Sequence, residues 1–171
     1  METKLEYILT HSYKKDSISY IKENPREFEE LIQLALSDKQ PYSWRAAWLM
    51  ENCIDVNDNR IQKYVDKIIE ILPERQDGHS RGLMMILQKM EINEDFEGKL
   101  FDTCISIWEQ IGKQPSIRIS AFKLILKIMR KHPELSNEVD FLIQPHFMNT
   151  LSAGIKHSVK ILIQDFKKEL L

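Results

Sequence analysis

The sequence predicts an all-α fold of helical hairpins stacked in tandem as a short solenoid. Three observations predict it. Apolar residues recur at helical spacing almost throughout, Gly and Pro are scarce at 5 and 6 of 171 residues, and one pattern of small and apolar positions returns four times. Scarce turn residues suit long helices and argue against a turn-dense β-sandwich.

The first observation is plainest in the middle of the chain. Ile61, Tyr64, Val65, Ile68, Ile69 and Leu72 follow the i, i+3, i+4, i+7 pattern of one helix face, as do Phe101, Cys104, Ile105 and Trp108. Asn57-Asp58 and Asn93-Glu94-Asp95 read as helix N-caps, and Pro25, Pro41, Pro115 and Pro133 suit first helical positions. No alternating β-pattern of useful length competes with these segments.

The repeat itself is registered on the second helix of each hairpin. Lys39-Gln40-Pro41-Tyr42-Ser43-Trp44-Arg45-Ala46-Ala47-Trp48 aligns without a gap with Lys113-Gln114-Pro115-Ser116-Ile117-Arg118-Ile119-Ser120-Ala121-Phe122, and the stretch from Arg75 to Met84 lies midway between them. Ala46, Gly82, Ser120 and Ser158 share a column. Met50, Ile86, Leu124 and Leu162 follow four residues later, then Ile54, Met90, Ile128 and Phe166. A small residue lets two helices approach closely, and the two apolar positions behind it continue the same stripe. A single hairpin cannot bury both of its faces, so neighbours stack and share a core.

With this period, paired helices and small-residue column, the chain resembles HEAT-like repeats of the armadillo superfamily over roughly residues 24–170. The resemblance implies a right-handed α-α superhelix of about four hairpins. They fall at about 24–56, 57–92, 93–132 and 133–171, with residues 1–23 as an N-terminal helical cap, all in a single domain. Arg45, Arg81 and Arg118 are the nearest counterparts of the conserved arginine in a full HEAT pattern. Ile21-Lys22-Glu23-Asn24-Pro25 echoes Met129-Arg130-Lys131-His132-Pro133.

Composition narrows the function. The chain is 43% hydrophobic and 29% charged, which is globular rather than disordered, and its formal net charge is −2. Cys53 and Cys104 each lie in an apolar helical stretch and read as reduced, buried thiols. The start METKLEYILTHSYKK has no apolar core of a signal peptide, so a cytoplasmic protein off the membrane is expected. His11, His79, His132, His146 and His157 form no H-x-x-x-H pair, and Cys-x-x-Cys is absent, which disfavours zinc. Asp55-Val56-Asn57-Asp58-Asn59 opens like a calcium loop. Its sixth position is Arg60 instead of Gly and its twelfth is Asp66 instead of Glu, so it reads as a loop and helix cap. No phosphate loop or nucleophile elbow occurs. No cofactor, metal or catalytic residue is expected.

The charges are segregated within each hairpin. First helices with their leading loops (24–38, 57–74, 91–112, 134–149) hold 5 basic and 17 acidic residues. Second helices with theirs (39–56, 75–90, 113–133, 150–171) hold 15 basic and 5 acidic. Residues 1–23 are balanced at 4 and 4. Second helices usually line the concave surface of HEAT-like solenoids, so the resemblance implies a cationic inner face. Trp44, Arg45, Trp48, Arg81, Met84, Arg118 and Phe122 are the candidate binding residues, because arginine and large aromatics anchor interfaces and methionine adapts to varied ligands. Trp48, Met84 and Phe122 also share a column that core packing between repeats would explain. The expected function is a non-enzymatic protein-interaction module that grips an acidic segment or subunit. The alternative is nucleic-acid binding related to HEAT-like alkylated-base DNA glycosylases, with Trp44, Trp48, Glu51 and the cations of the third copy imitating their basic track.

Overall fold

A computed structural model describes all residues, 1–171, and every regular element in it is helical. Twelve α-helices follow one another: α1 (Lys4–His11), α2 (Lys14–Glu23), α3 (Phe28–Leu36), α4 (Tyr42–Cys53), α5 (Asn59–Gln62), α6 (Val65–Ile71), α7 (Asp77–Lys89), α8 (Glu94–Glu109), α9 (Pro115–Met129), α10 (Glu138–Leu142), α11 (Pro145–Met148) and α12 (Ala153–Glu169). Single 3-10 turns at Pro25–Glu27, Leu72–Glu74 and Pro133–Leu135 punctuate them. The chain forms two compact units, residues 1–93 and residues 94–171.

In the N-terminal unit, α1 starts with a reciprocal cap. The Glu6 backbone N–H donates to Thr3 Oγ1 at 3.2 Å, and the Thr3 N–H donates to Glu6 Oε2 at 3.0 Å. The central helix is α4, which packs against α1, α2, α3 and α7. Its inner stripe of Ser43, Ala46, Ala47, Leu49 and Met50 is fully buried. The expected small-residue contact is here: a Cβ on Gly82 of α7 would lie 3.2 Å from Ala47 Cβ and 3.4 Å from the Trp48 nitrogen. Asn57 turns the chain out of α4 with φ 54°, a left-handed conformation that Asn tolerates, and its N–H donates to the Lys89 carbonyl at 2.8 Å. Asp58 then caps α5 by accepting the Arg60 N–H at 3.0 Å. The Arg60 guanidinium beside it holds the Asp58 carboxyl down at about 2.

In the C-terminal unit, α8 and α9 pack as a long hairpin and α12 packs against α9. Trp108, Phe122, Leu124, Ile125 and Phe166 are fully buried. The column residues Ile54, Met90, Ile128 and Phe166 are all core, whereas Ser158 and Leu162 of the last copy stay half-exposed. The sequence echo also has a structural counterpart. Asn24 (φ −122°, ψ 65°) and His132 (φ −126°, ψ 72°) adopt one conformation, and each is followed by Pro and a 3-10 turn. Of the four expected prolines, Pro115 starts an α-helix, Pro25 and Pro133 start 3-10 turns, and Pro41 precedes α4 as its N-cap.

Two glycines should respond oppositely to substitution. Gly98 lies inside α8 with nothing within 4 Å of an added Cβ, so Gly98→Ala should stabilise by about 0.5–1 kcal/mol through helix propensity. Gly82→Leu forces a side chain into the α4–α7 contact and should cost about 1–3 kcal/mol. Urea denaturation of the two variants beside the parent checks both signs.

Candidate interaction site

The basic residues of the second helices divide into two groups, those anchored on backbone carbonyls and those open to solvent. Arg45 in the first turns of α4 donates from Nη1 to the Leu9 carbonyl of α1 at 3.1 Å. Arg75, leading into α7, donates from Nη2 to the Leu36 carbonyl at the end of α3 at 3.2 Å. Lys89 at the end of α7 donates to the Glu51 carbonyl of α4 at 2.6 Å. The last carbonyls of a helix have no partner within it and bear the negative end of its dipole, so a cation placed there satisfies both needs.

Arg118 is the extreme case. It is fully buried in the first turns of α9 and meets no carboxylate. Nε donates to the Trp108 carbonyl at 2.8 Å, Nη2 to the Phe147 carbonyl at 2.7 Å and Nη1 to Thr150 Oγ1 at 3.0 Å, while the guanidinium lies 4.7 Å from the Trp108 ring centre. Burial pushes its pKa down from the ordinary arginine value. This corrects the expectation that Arg118 lines an open surface. It sits two residues before the small position Ser120, like the buried Ser80 before Gly82, whereas Arg45 and Arg81 sit one residue before theirs. Trp44 holds the same place before Ala46 and is 39% exposed, so the cover over Arg118 comes from the Phe147–Thr150 segment that takes its guanidinium.

Met84 and Phe122 are also corrected. Both are fully buried, and Phe122 packs against the Trp108 ring at 4.6 Å. They take the core alternative for their column, while Trp48 of the same column stays half-exposed.

The remaining candidates all lie in the N-terminal unit. Trp44 is 39% exposed, Arg45 and Trp48 are half-exposed and Arg81 is exposed. The Arg45 guanidinium lies 4.8 Å from the Trp44 ring centre, and Lys14 Nζ lies 5.5 Å from that of Trp48. These contacts join α2 to α4, beside which α7 packs with Arg81 exposed, and α2 adds residues not expected from the sequence. Lys14, Lys15, Ile18, Ser19 and Lys22 share one side of α2 and line an open pocket, with all three lysines exposed. Their helical spacing was the available signal, but the balanced charge of residues 1–23 concealed it. Glu51 of α4 lies 3.4 Å from Lys89 and is bonded to Asn52. At the N-terminal ends of α4 and α7, Gln40, Trp44, Gln76, Gly78 and His79 line a further pocket of about 270 Å³. Buried His79 makes contact through Nε2 with the Ala35 carbonyl at 2.7 Å and through Nδ1 with Gln40 at 3.3 Å; burial lowers its pKa, which favours the neutral ring. As a neutral ring it donates from Nε2 and accepts at Nδ1.

The C-terminal unit holds a separate charged cluster. Buried Glu97 accepts from Lys131 Nζ at 2.8 Å and from His132 Nε2 at 2.6 Å, and His132 Nδ1 lies 3.5 Å from Glu134. Burial alone would raise the Glu97 carboxyl, but the two hydrogen bonds outweigh it and hold it below its usual range. The Glu97 hydrogen bond raises His132. Cys104 is fully buried and Cys53 half-buried; both are free thiols, pushed up by burial. No three His, Cys, Asp or Glu residues are grouped to hold a metal ion.

A family profile described as the HEAT repeat domain matches residues 1–166. The chain belongs to the HEAT repeat family, and the match takes in the first 23 residues as well as the hairpins. Such repeats serve generally as protein-interaction scaffolds. No curated protein and no solved structure matches the chain. No helix is long and apolar enough to cross a membrane.

The Glu97 cluster sets a pH dependence. A raised histidine contributes stability that is fully present below its unfolded value of 6.5 and lost as pH rises through its folded value. Buried His79, lowered instead of raised, acts in the opposite sense in every variant, so the readout is the difference between parent and His132→Gln: in thermal melts between about pH 5.5 and about pH 8.5 the parent's advantage should shrink towards high pH. His132→Gln should be less stable than the parent at the acid end, with the two converging at the alkaline end.

Proposed function

We propose that this chain is a non-enzymatic interaction module whose α2–α4–α7 face takes an acidic protein segment or subunit. The supporting observation is the make-up of these helices: Lys14 lies 5.5 Å from the Trp48 ring centre and Arg45 4.8 Å from that of Trp44, Lys15, Lys22 and Arg81 are exposed on α2 and α7, and Glu51 of α4 is already paired with Lys89. Cations flanking half-exposed tryptophans offer both steering and contact area. The charge attracts a carboxylate-rich partner and speeds encounter, and the indole faces provide the anchoring surface. Hairpins at about 24–56, 57–92, 93–132 and 133–171 following an N-terminal pair, and a cytoplasmic setting in keeping with free Cys53 and Cys104, belong to the same reading.

Poly-glutamate titration followed by tryptophan fluorescence tests it, because Trp108 is buried and the signal change would come from Trp44 and Trp48. Binding should weaken steeply between about 50 and about 200 mM salt. The triple change Lys14→Glu, Lys15→Glu, Arg81→Glu should reduce affinity about tenfold or more with the circular-dichroism spectrum unchanged. Equal binding by the triple variant would refute the assignment. A preference for duplex DNA over poly-glutamate would support the nucleic-acid alternative instead.

A further inference from the structure

The α10–α12 part of the C-terminal unit has a groove of a different kind. Its floor is apolar, formed by Ile143, by Met148 at the end of α11 and by Val159 and Ile163 of α12, and its volume is about 270 Å³. Lys156 and Lys160 form its rim. They lie one turn apart on α12, and at 100° per residue they fall on the edge of the helix next to the buried Val159–Ile163 stripe. Lys167 continues the same edge. Its Nζ already meets the carboxylate of Asp140, on α10, at 3.1 Å. Lys156 and Lys160, the two cations at the groove itself, have no acidic partner within the chain. The row therefore contains one carboxylate pair and two open positions beside an apolar slot.

We infer that this groove docks a partner peptide segment in which a large aliphatic side chain is flanked by carboxylates. The aliphatic side chain seats between Met148 and Ile163, and the carboxylates pair with Lys156 and Lys160 as Asp140 pairs with Lys167. The slot has room for about one such side chain, and the lysines lie roughly 6 Å apart along the helix, a spacing that carboxylates on either side of the anchor can match. Charge complementarity favours an acidic peptide over a basic one, and the apolar floor favours an acidic segment with an anchor over a purely polar one. The site shares no residue with the α2–α4–α7 face, so the two succeed or fail separately.

The test uses a fluorescein-labelled Glu-Leu-Glu-Leu-Glu peptide, its Ser-for-Leu and Gln-for-Glu versions, and the full chain labelled with nitrogen-15. The parent peptide should bind saturably and move amide resonances of residues 143–163. Lys156→Glu with Lys160→Glu should weaken it about tenfold or more, as should either peptide change. Met148→Ala is a milder variant that keeps the charges and should weaken the Leu peptide only. Absence of saturable binding, indifference to both lysine changes, or shifts confined to residues 1–93 would overturn the assignment. So would tight binding of decanoate with no binding of the peptide, which would mark a fatty-carboxylate pocket.

Discussion

The constraint on which most of this structure depends is that stacking hairpins buries helix ends. When a second helix covers the C-terminus of a first helix, the last carbonyls lose water and still need donors. This chain supplies them from side chains at recurring places. Arg45 reaches Leu9, His79 reaches Ala35, Arg75 reaches Leu36, Arg118 reaches Trp108, and the Trp108 indole reaches Leu142. Leaving such a carbonyl unsatisfied costs about 1–3 kcal/mol, and a hydrogen bond from a charged donor contributes about 1.5–3 kcal/mol. Exposed ion pairs such as Lys67–Glu70 contribute about 0–1 kcal/mol. The helix-end arginines therefore outrank the surface pairs as determinants of how each hairpin seats.

Charge segregation takes on a second meaning from this. The excess of cations on second helices is in part a structural device for ending helices, and in part a surface. Arg118 belongs wholly to the first use, because its guanidinium is spent on carbonyls and an aromatic ring. Arg130, Lys131 and Lys167 are tied to Glu169, Glu97 and Asp140. Beyond these, Arg81, Lys123, Lys160 and Lys168 are exposed on second helices, Lys156 is half-exposed, and Lys14, Lys15 and Lys22 add an exposed row on α2. A partner-binding surface is defined by that remainder and not by the gross charge of the second helices.

The fold was legible because its signal is redundant. The small residues at Ala46, Gly82 and Ser120 and the apolar positions four and eight residues beyond repeat the same physical requirement, and each is buried as that requirement demands. Single-residue depth was less legible. Arg118 resembles Arg45 by motif, but the distant Phe147–Thr150 segment covers it, and nothing near Arg118 in the sequence announces that cover. The break between α10 and α11 was marked by Pro145, whereas the interruption at Lys63–Tyr64 between α5 and α6 has no such marker. The lysine edge of α2 was obscured because charge was summed over a segment, although only its helical side gives it meaning.

The most direct test of this account is a comparison of thermal unfolding for Arg118→Leu, Arg45→Leu and Arg81→Leu. Each removes one positive charge from a second helix, so a role through net charge alone would treat them alike. The account predicts a large loss for Arg118→Leu, about 3 kcal/mol or more because two buried carbonyls are orphaned. It predicts a smaller loss for Arg45→Leu and little change for Arg81→Leu. Equal midpoints for Arg118→Leu and Arg81→Leu would contradict it.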